Sequence, residues 1–428
     1  MKYSIDFYGA KTDGKLYTAE IQKAIDDCYI NGGGEVIVPE GTYRTGGIRL
    51  RSGVTLHMME NAVLEGSTDP EDYLAFLEDT IEPIDPEDID KQCPTVVPGT
   101  GPARSAQPYS RWNNAIIRAI KANDIAIIGE KGSVINGKNC YDEKGEEGYR
   151  GPHAINFWYC ENIELKGYTI QDSANWAHAI QNSKNIHISD VTVLAGHDGF
   201  DVRTCDNILI EHCDFYSGDD CVAGFDNIDV TVRDCVFNTA CNVLRFGGTN
   251  VLVENCKSIA PAKYGHRYGL TEEQKRNGDS SDENCRHNCL TAFFYYCDTR
   301  AMIRETPGDI TIRSCHFINA ETIFKLPFGH IWCRNRSLDS ITFEDCIFDG
   351  VCSPIEISCP AEEPITFTLK NCIVNADEKG KDLPFATLEN FRDFVLDNVK
   401  INNYTNPEII CKTQGNVSLI NTVAKINK

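Results

Sequence analysis

A short run of alternating, β-branched residues returns along this chain about every 22 residues. It is seen at NIELKGYTI (162–170), NIHISDVTV (185–193), NILIEHCDF (207–215), IDVTVRDCVF (228–237) and NVLVENCKSI (250–259). The first core apolars of these units are Ile163, Ile186, Ile208, Val230 and Val251, in steps of 23, 22, 22 and 21 residues. Alternation turns apolar side chains to one face of each strand and polar ones to the other. ITIRSCHF (310–317), ITFEDCIF (341–348) and ITFTLKNCIV (365–374) fit the same mould. One column of the repeat holds Cys213, Cys235, Cys256, Cys315, Cys346 and Cys372, with Val191 and Val399 on the same template. Short strands at this period, separated by Gly, Asn and Asp turns, mark an all-β parallel β-helix. A jelly roll or propeller would carry longer periods or hairpin signals such as regularly placed Asn-Gly pairs.

A solenoid lengthens its core without widening it, so the 428 residues need not divide into globular units. The expectation is one β-helix domain over 1–428, with loop insertions at about 69–108 and 261–289. Long loops on a rigid scaffold carry recognition more often than structure, so both are read as walls of a site. Residues 18–30, TAEIQKAIDDCYI, place Ile21, Ala24, Ile25 and Cys28 at helical spacing and run into Asn31-Gly32-Gly33-Gly34. That is a helix with a glycine stop, suited to plugging the open N-terminal end.

The 20 cysteines lack CxxC pairs, and many occupy single core positions of the repeat. They are read as small apolar fillers kept reduced in a cytosol, with no metal and no cofactor. The start MKYSIDFYGAKTDGK has no apolar leader core, which points to a cytoplasmic protein. No apolar run approaches the roughly 18 residues needed to span a bilayer. The net charge of −22 disfavours nucleic acid and anionic membranes as partners. A β-helix has little inherent reason to pair, so a monomer or dimer is expected.

The stretch HDGFDVRTCDNILIEHCDFYSGDDC (197–221) holds three acids that the repeat brings together. Asp198 and Asp219 are 219 − 198 = 21 residues apart, one coil, and Asp220 follows in a turn-like segment. Like charges that close repel, so at least one carboxyl should keep its proton near neutrality. A protonated acid beside ionised carboxylates is what glycosidic cleavage requires. Calcium binding is the rival use of such an oxygen cluster. Asp201, Asp206, Asp226 and Asp229 are read as turn caps on backbone amides.

The chain also resembles the polygalacturonase-type glycoside hydrolases, family 28, over most of its length. IQKAIDDC (21–28) with GGGEVIVPEGTY (32–43), GVTLHMMENAVLEGSTDPEDY (53–73), SRW (110–112) and DSANWAHAI (172–180) follow in family order. The family's Asn-Thr-Asp-Gly motif matches Gly196-His197-Asp198-Gly199, and its Gly-Asp-Asp motif matches Gly218-Asp219-Asp220. The resemblance implies a right-handed parallel β-helix that hydrolyses pectic polysaccharides with inversion. Asp219 would be the general acid, with Asp198 and Asp220 positioning and deprotonating the water.

Two family motifs are rewritten. Where Gly-His-Gly is due, the chain has Cys241-Asn242-Val243, followed by Leu244 and Arg245, so the usual histidine is Asn242. Arg-Ile-Lys survives only as Met302-Ile303-Arg304, displaced by the polar insertion. Replacement substrate-binding groups are sought in Arg245, Asn242, Arg304, Arg267, His266, Tyr264, His197, Trp176 and His178, and Tyr268 crowds the same insertion. Aromatic faces suit sugar rings, and guanidinium suits carboxylate or vicinal hydroxyls. The run Phe293-Phe294-Tyr295-Tyr296 is read as straddling a strand, half core and half surface. The leading expectation is an inverting, exo-acting glycosidase on an oligosaccharide of pectin type or a related plant or host glycan. A polysaccharide lyase and a non-catalytic carbohydrate-binding β-helix are the alternatives.

Overall fold

The computed structural model describes residues 1–73, 111–140, 151–266 and 285–427. Parallel strands stack from Lys2–Ser4 to Lys425–Asn427 and wind into a right-handed β-helix. Each complete central coil has three faces. The first includes His178–Gln181 and Phe200–Arg203, the second Lys184–Ser189 and Asp206–Glu211, and the third Thr192–Leu194 and Asp214–Ser217. The two strands Val222–Arg233 and Asn242–Glu254 run through the corner from first face to second.

The sequence repeat is the register of the second face. Ile163, Ile186, Ile208, Val230, Val251 and Ile310 pair in succession, each over the last. All six are buried. The cysteine column is buried too, and each thiol finds a backbone carbonyl, such as Cys235 Sγ–H to Arg233 O at 3.1 Å. A small, weakly polar side chain satisfies both the crowding and the lone carbonyl there. Aromatic rings also stack coil on coil, Phe215 over Phe237 at 5.5 Å and Phe317 over Phe348 at 5.2 Å.

The corners need left-handed backbone, which short amide and acid side chains tolerate best. Asn162, Asn185 and Asn207 have φ of 58°, 54° and 54°. Their amides form a ladder: Asn185 Nδ2 donates to Asn162 Oδ1, and Asn207 Nδ2 to Asn185 Oδ1, each at 2.9 Å. Asp229 belongs to this kind of ladder, accepting from Asn250 Nδ2, and is not the amide cap expected of it.

The predicted helix is Thr18–Ile30, and its buried side chains are Ile21, Ala24, Ile25 and Cys28, the four expected. Its stop uses Gly33 at φ +90°, where a Cβ would come within 2.4 Å of Gly53 O. Most of both expected insertions lies outside the described residues, including Arg267 and Tyr268. The neck of the second is described. Ala262 N–H donates to His287 O at 2.7 Å and His266 N–H to Arg286 O at 2.9 Å, which closes its two ends together. In the aromatic run only Phe294 is partly exposed. Phe293, Tyr295 and Tyr296 are buried, so three of the four are core.

Candidate active site

Register decides which residues meet on the first face. Phe200 pairs with Val222, a step of 22, and Gly199 N–H donates to Asp220 O while Cys221 N–H donates to Asn242 O. Asn242 in turn pairs with Thr291. Asp198 therefore stacks on Asp220 (220 − 198 = 22), then Asn242, then Thr291. The sequence expectation had aligned Asp198 with Asp219. Asp219 instead stands in the neighbouring ladder, between His197 (219 − 197 = 22) and Cys241 (241 − 219 = 22). The two ladders lie side by side, so carboxyl oxygens of Asp198, Asp219 and Asp220 still come within 4.8 Å of one another. Gly218 allows the packing: a Cβ there would sit 2.7 Å from Gly196 O and 2.9 Å from Gly265 O in the insertion neck.

The Asp198–Asp220 ladder is internally satisfied. Asn242 Nδ2 donates to Asp220 Oδ1 at 2.7 Å, and its own Oδ1 accepts from Thr291 Oγ1 at 2.7 Å. Arg245 donates through Nε to Asp220 and through Nη2 to Asp198 at 3.2 Å. Its guanidinium lies 4.2 Å from the Tyr296 ring centre and 5.1 Å from that of Trp332. Asp201, buried and gripped by both Nε and Nη2 of Arg203, comes within 4.0 Å of Arg245 as well. It is an ion-pair partner and not the turn cap expected. Arg245 and Asn242 thus serve the acids, where sequence reading gave them to the substrate.

Asp219 is the most exposed acid of the trio, its side chain 14% accessible against 1% and 2% for Asp198 and Asp220. His266 Nε2 lies 3.4 Å and His197 Nδ1 3.9 Å from its Oδ2. Burial alone would raise the Asp219 carboxyl, but the two imidazoles hold it well below the usual range. Asp198 moves the other way. Burial, then the charges of Asp219 and Asp220, push it well above the carboxylate range despite Arg245. Asp220 is raised by burial, pulled back by Arg245 and raised again by Asp219. The carboxyl pushed furthest toward its protonated form is Asp198. The resemblance had given the acid role to Asp219.

Other expected ligands are placed elsewhere. Arg304 donates to Asp226 through its backbone N–H at 3.1 Å and to Asp206 through Nη1 at 2.6 Å. Its Nε also lies 3.3 Å from Asp226 Oδ2, so both acids match its charge; Asp226 caps the Arg304 amide as expected of it, while Asp206 is an ion-pair partner. His178 is fully buried, stacked 3.9 Å from Phe200, with Nδ1 at 3.0 Å from Gly199 O and Nε2 at 2.9 Å from Tyr168 Oη. It props the backbone behind Asp198 and offers no face to a sugar. Trp176 is buried between Trp112 at 4.7 Å and the Arg203 guanidinium at 4.4 Å. Tyr264 is partly exposed on the insertion neck, its ring near Lys263 Nζ at 5.2 Å.

Sequence reasoning missed Thr291, Cys241, Tyr296 and Trp332 as neighbours of the acids. Thr291 and Cys241 were readable by stepping 22 residues from known members, allowing for the insertion. Trp332 was not, because it stands on a turn outside the repeat, pinned by Cys297 N–H to Trp332 O at 2.9 Å.

Fold and site together define a right-handed parallel β-helix with a carboxylate cluster across adjacent coils. The model of Glycosyl hydrolases family 28 matches residues 92–240, less than half of the chain. A probable polygalacturonase of Vitis vinifera is 28% identical over 230 residues, 51% of this chain and 43% of that protein. An exo-poly-alpha-D-galacturonosidase of Dickeya chrysanthemi is 27% identical over 249 residues, 51% and 41% respectively. The chain spans less than half the length of these relatives. A hyperthermoactive exopolygalacturonase structure from Thermotoga maritima superimposes with a TM-score of 0.66 at 17% identity, covering 94% of this chain and 92% of that one. The mannuronan C-5 epimerase AlgE4 A-module of Azotobacter vinelandii shares the fold with a TM-score of 0.56 at 11% identity. Over the matched residues the chain is similar to family 28.

Proposed function

We propose that this protein is an inverting glycoside hydrolase acting from the end of a galacturonate-containing or related oligosaccharide. The observation that carries it is the trio itself: three carboxyls within 4.8 Å, Asp198 among them pushed well above the carboxylate range by burial and its acidic neighbours, inside a family match that runs through all three positions. Asp219 faces the glycosidic oxygen because it is the most exposed. It relays to the leaving oxygen a proton supplied by Asp198, the neighbouring carboxyl that burial and its acidic neighbours push upward. Asp220, fixed by Asn242 and Arg245, takes the proton of the attacking water. Carboxyl pairs this close are more usual for retaining enzymes, where about 5 Å is typical. Inversion is supported here by the family likeness, with the water lodged beside the acids and not between them. Exo action is supported by relatives whose names carry it.

Anomeric proton NMR of the first products, on a panel of galacturonan and related oligosaccharides, tests the reading. Inverted product is expected, with D219N reducing turnover by about 10³-fold, within the range for a lost general acid. A retained anomer, or no turnover of any glycan, overturns it.

A further inference from the structure

The ladder that runs beside the acids has an unusual composition. His197, Asp219 and Cys241 occupy one register position in three successive coils, and His266 is brought across them by the insertion neck. Against the family motifs, His197 stands where threonine is expected and Cys241 where the first glycine of Gly-His-Gly is expected. Both departures, and the insertion, converge on the Asp219 carboxylate.

We propose that Asp219, Cys241 and His266 form a binding site for a borderline transition-metal dication, zinc above all, with a further position left to water. One carboxylate oxygen, one sulfur and one imidazole nitrogen lie within 4.8 Å of one another. Zinc with bonds of about 2.0–2.2 Å to nitrogen and oxygen requires a tetrahedral edge of about 3.4 Å between them. The His266 Nε2 to Asp219 Oδ2 distance is 3.4 Å. Thiol and imidazole donors exclude calcium and magnesium as the natural occupants, since those ions take oxygen. All three ligands sit on rigid supports: two on consecutive coils, and His266 on a neck closed by backbone hydrogen bonds. As the metal–sulfur bond forms, the thiol proton leaves to solvent. His197, 3.9 Å from the same oxygen, stands behind the site.

A bound ion would occupy the Asp219 oxygen, so metal and glycosidic proton transfer exclude one another, and added zinc should suppress any hydrolysis. The site does not depend on the hydrolase reading, because the ion is measured directly while the hydrolase is judged by its products. Tag-free protein is titrated with Zn²⁺ against a chromophoric chelator, and separately with Co²⁺ for the sulfur-to-cobalt charge-transfer band. One equivalent of Zn²⁺ and a cobalt–thiolate band are expected. C241S should lose the band, and both C241S and H266Q should weaken zinc binding by about tenfold or more. C213S, in the core column, should change neither. No zinc uptake, uptake undiminished in C241S and H266Q, or a band lost equally in C213S overturns the site.

Discussion

Arg245 is the residue on which the acid cluster balances. It lies among Asp220, Asp198 and Asp201, all buried, and is the cation nearest to the first two among the described residues. Removing one partner of a buried ion pair strands the others and costs about 3–5 kcal/mol. R245M should therefore lower stability by that order in a denaturant titration, and the added change D220N should restore a substantial part. Equal, additive losses would show that the pairing is not what holds these groups. His178 has the opposite problem, since burial pulls its pKa down to about 3. Between pH 6.5 and 3 the unfolded chain takes up a proton that the folded one refuses, so stability present above pH 6.5 is lost as pH falls through that window. The slope is up to about 1.4 kcal/mol per pH unit. H178Q should flatten it in denaturant midpoints measured across this range. Neither role was legible in sequence. A histidine one coil before an acid reads the same whether it faces sugar or core, and only the side-chain direction separates them.

At the scale of elements, the strand and its corner are inseparable. The asparagine ladder holds left-handed backbone and satisfies side-chain amides in the same move. N185A should cost about 1–2 kcal/mol, from a strained φ of 54° and two lost hydrogen bonds, while N185G should cost less because glycine accepts that φ. Thermal or denaturant unfolding of both variants compares them, and an alanine variant no worse than glycine would rule strain out. The second-face register was legible, but each unit read as one strand is two, split by a corner, as Glu161–Lys166 and Thr169–Gln171. Ile163 to Val251 form one register column because burial leaves a strand only one choice of face. The one-residue misalignment of Asp198 arose where the chain bends. Register was counted from loop residues, and the strand pair Phe200–Val222 fixes it differently.

For the molecule as a whole, the net charge of −22 sets a field that any uronate ligand must approach against. Screening weakens that field over about 10 Å at 0.1 M salt. For an anionic oligosaccharide kcat/KM should rise as sodium chloride increases from about 10 to 200 mM, while a neutral one stays level. A fall with salt on the anionic ligand would instead mean that local cations dominate its encounter. The likeness to an epimerase alongside hydrolases shows why the fold cannot choose the chemistry. What the coils supply is spacing, and what stands on them supplies function.

The amino-acid sequence alone determined the solenoid, its capping helix, its cysteine and isoleucine columns and the presence of three acids on neighbouring coils, because period and alternation are local facts. Only the tertiary structure decided which acid stacks on which, that Arg245 and Asn242 serve the acids, that Arg304 is matched by Asp206 and Asp226, and that two histidines and a thiol crowd Asp219. Those outcomes depend on side-chain direction and on a neck folding back across the coils, and a linear repeat carries neither.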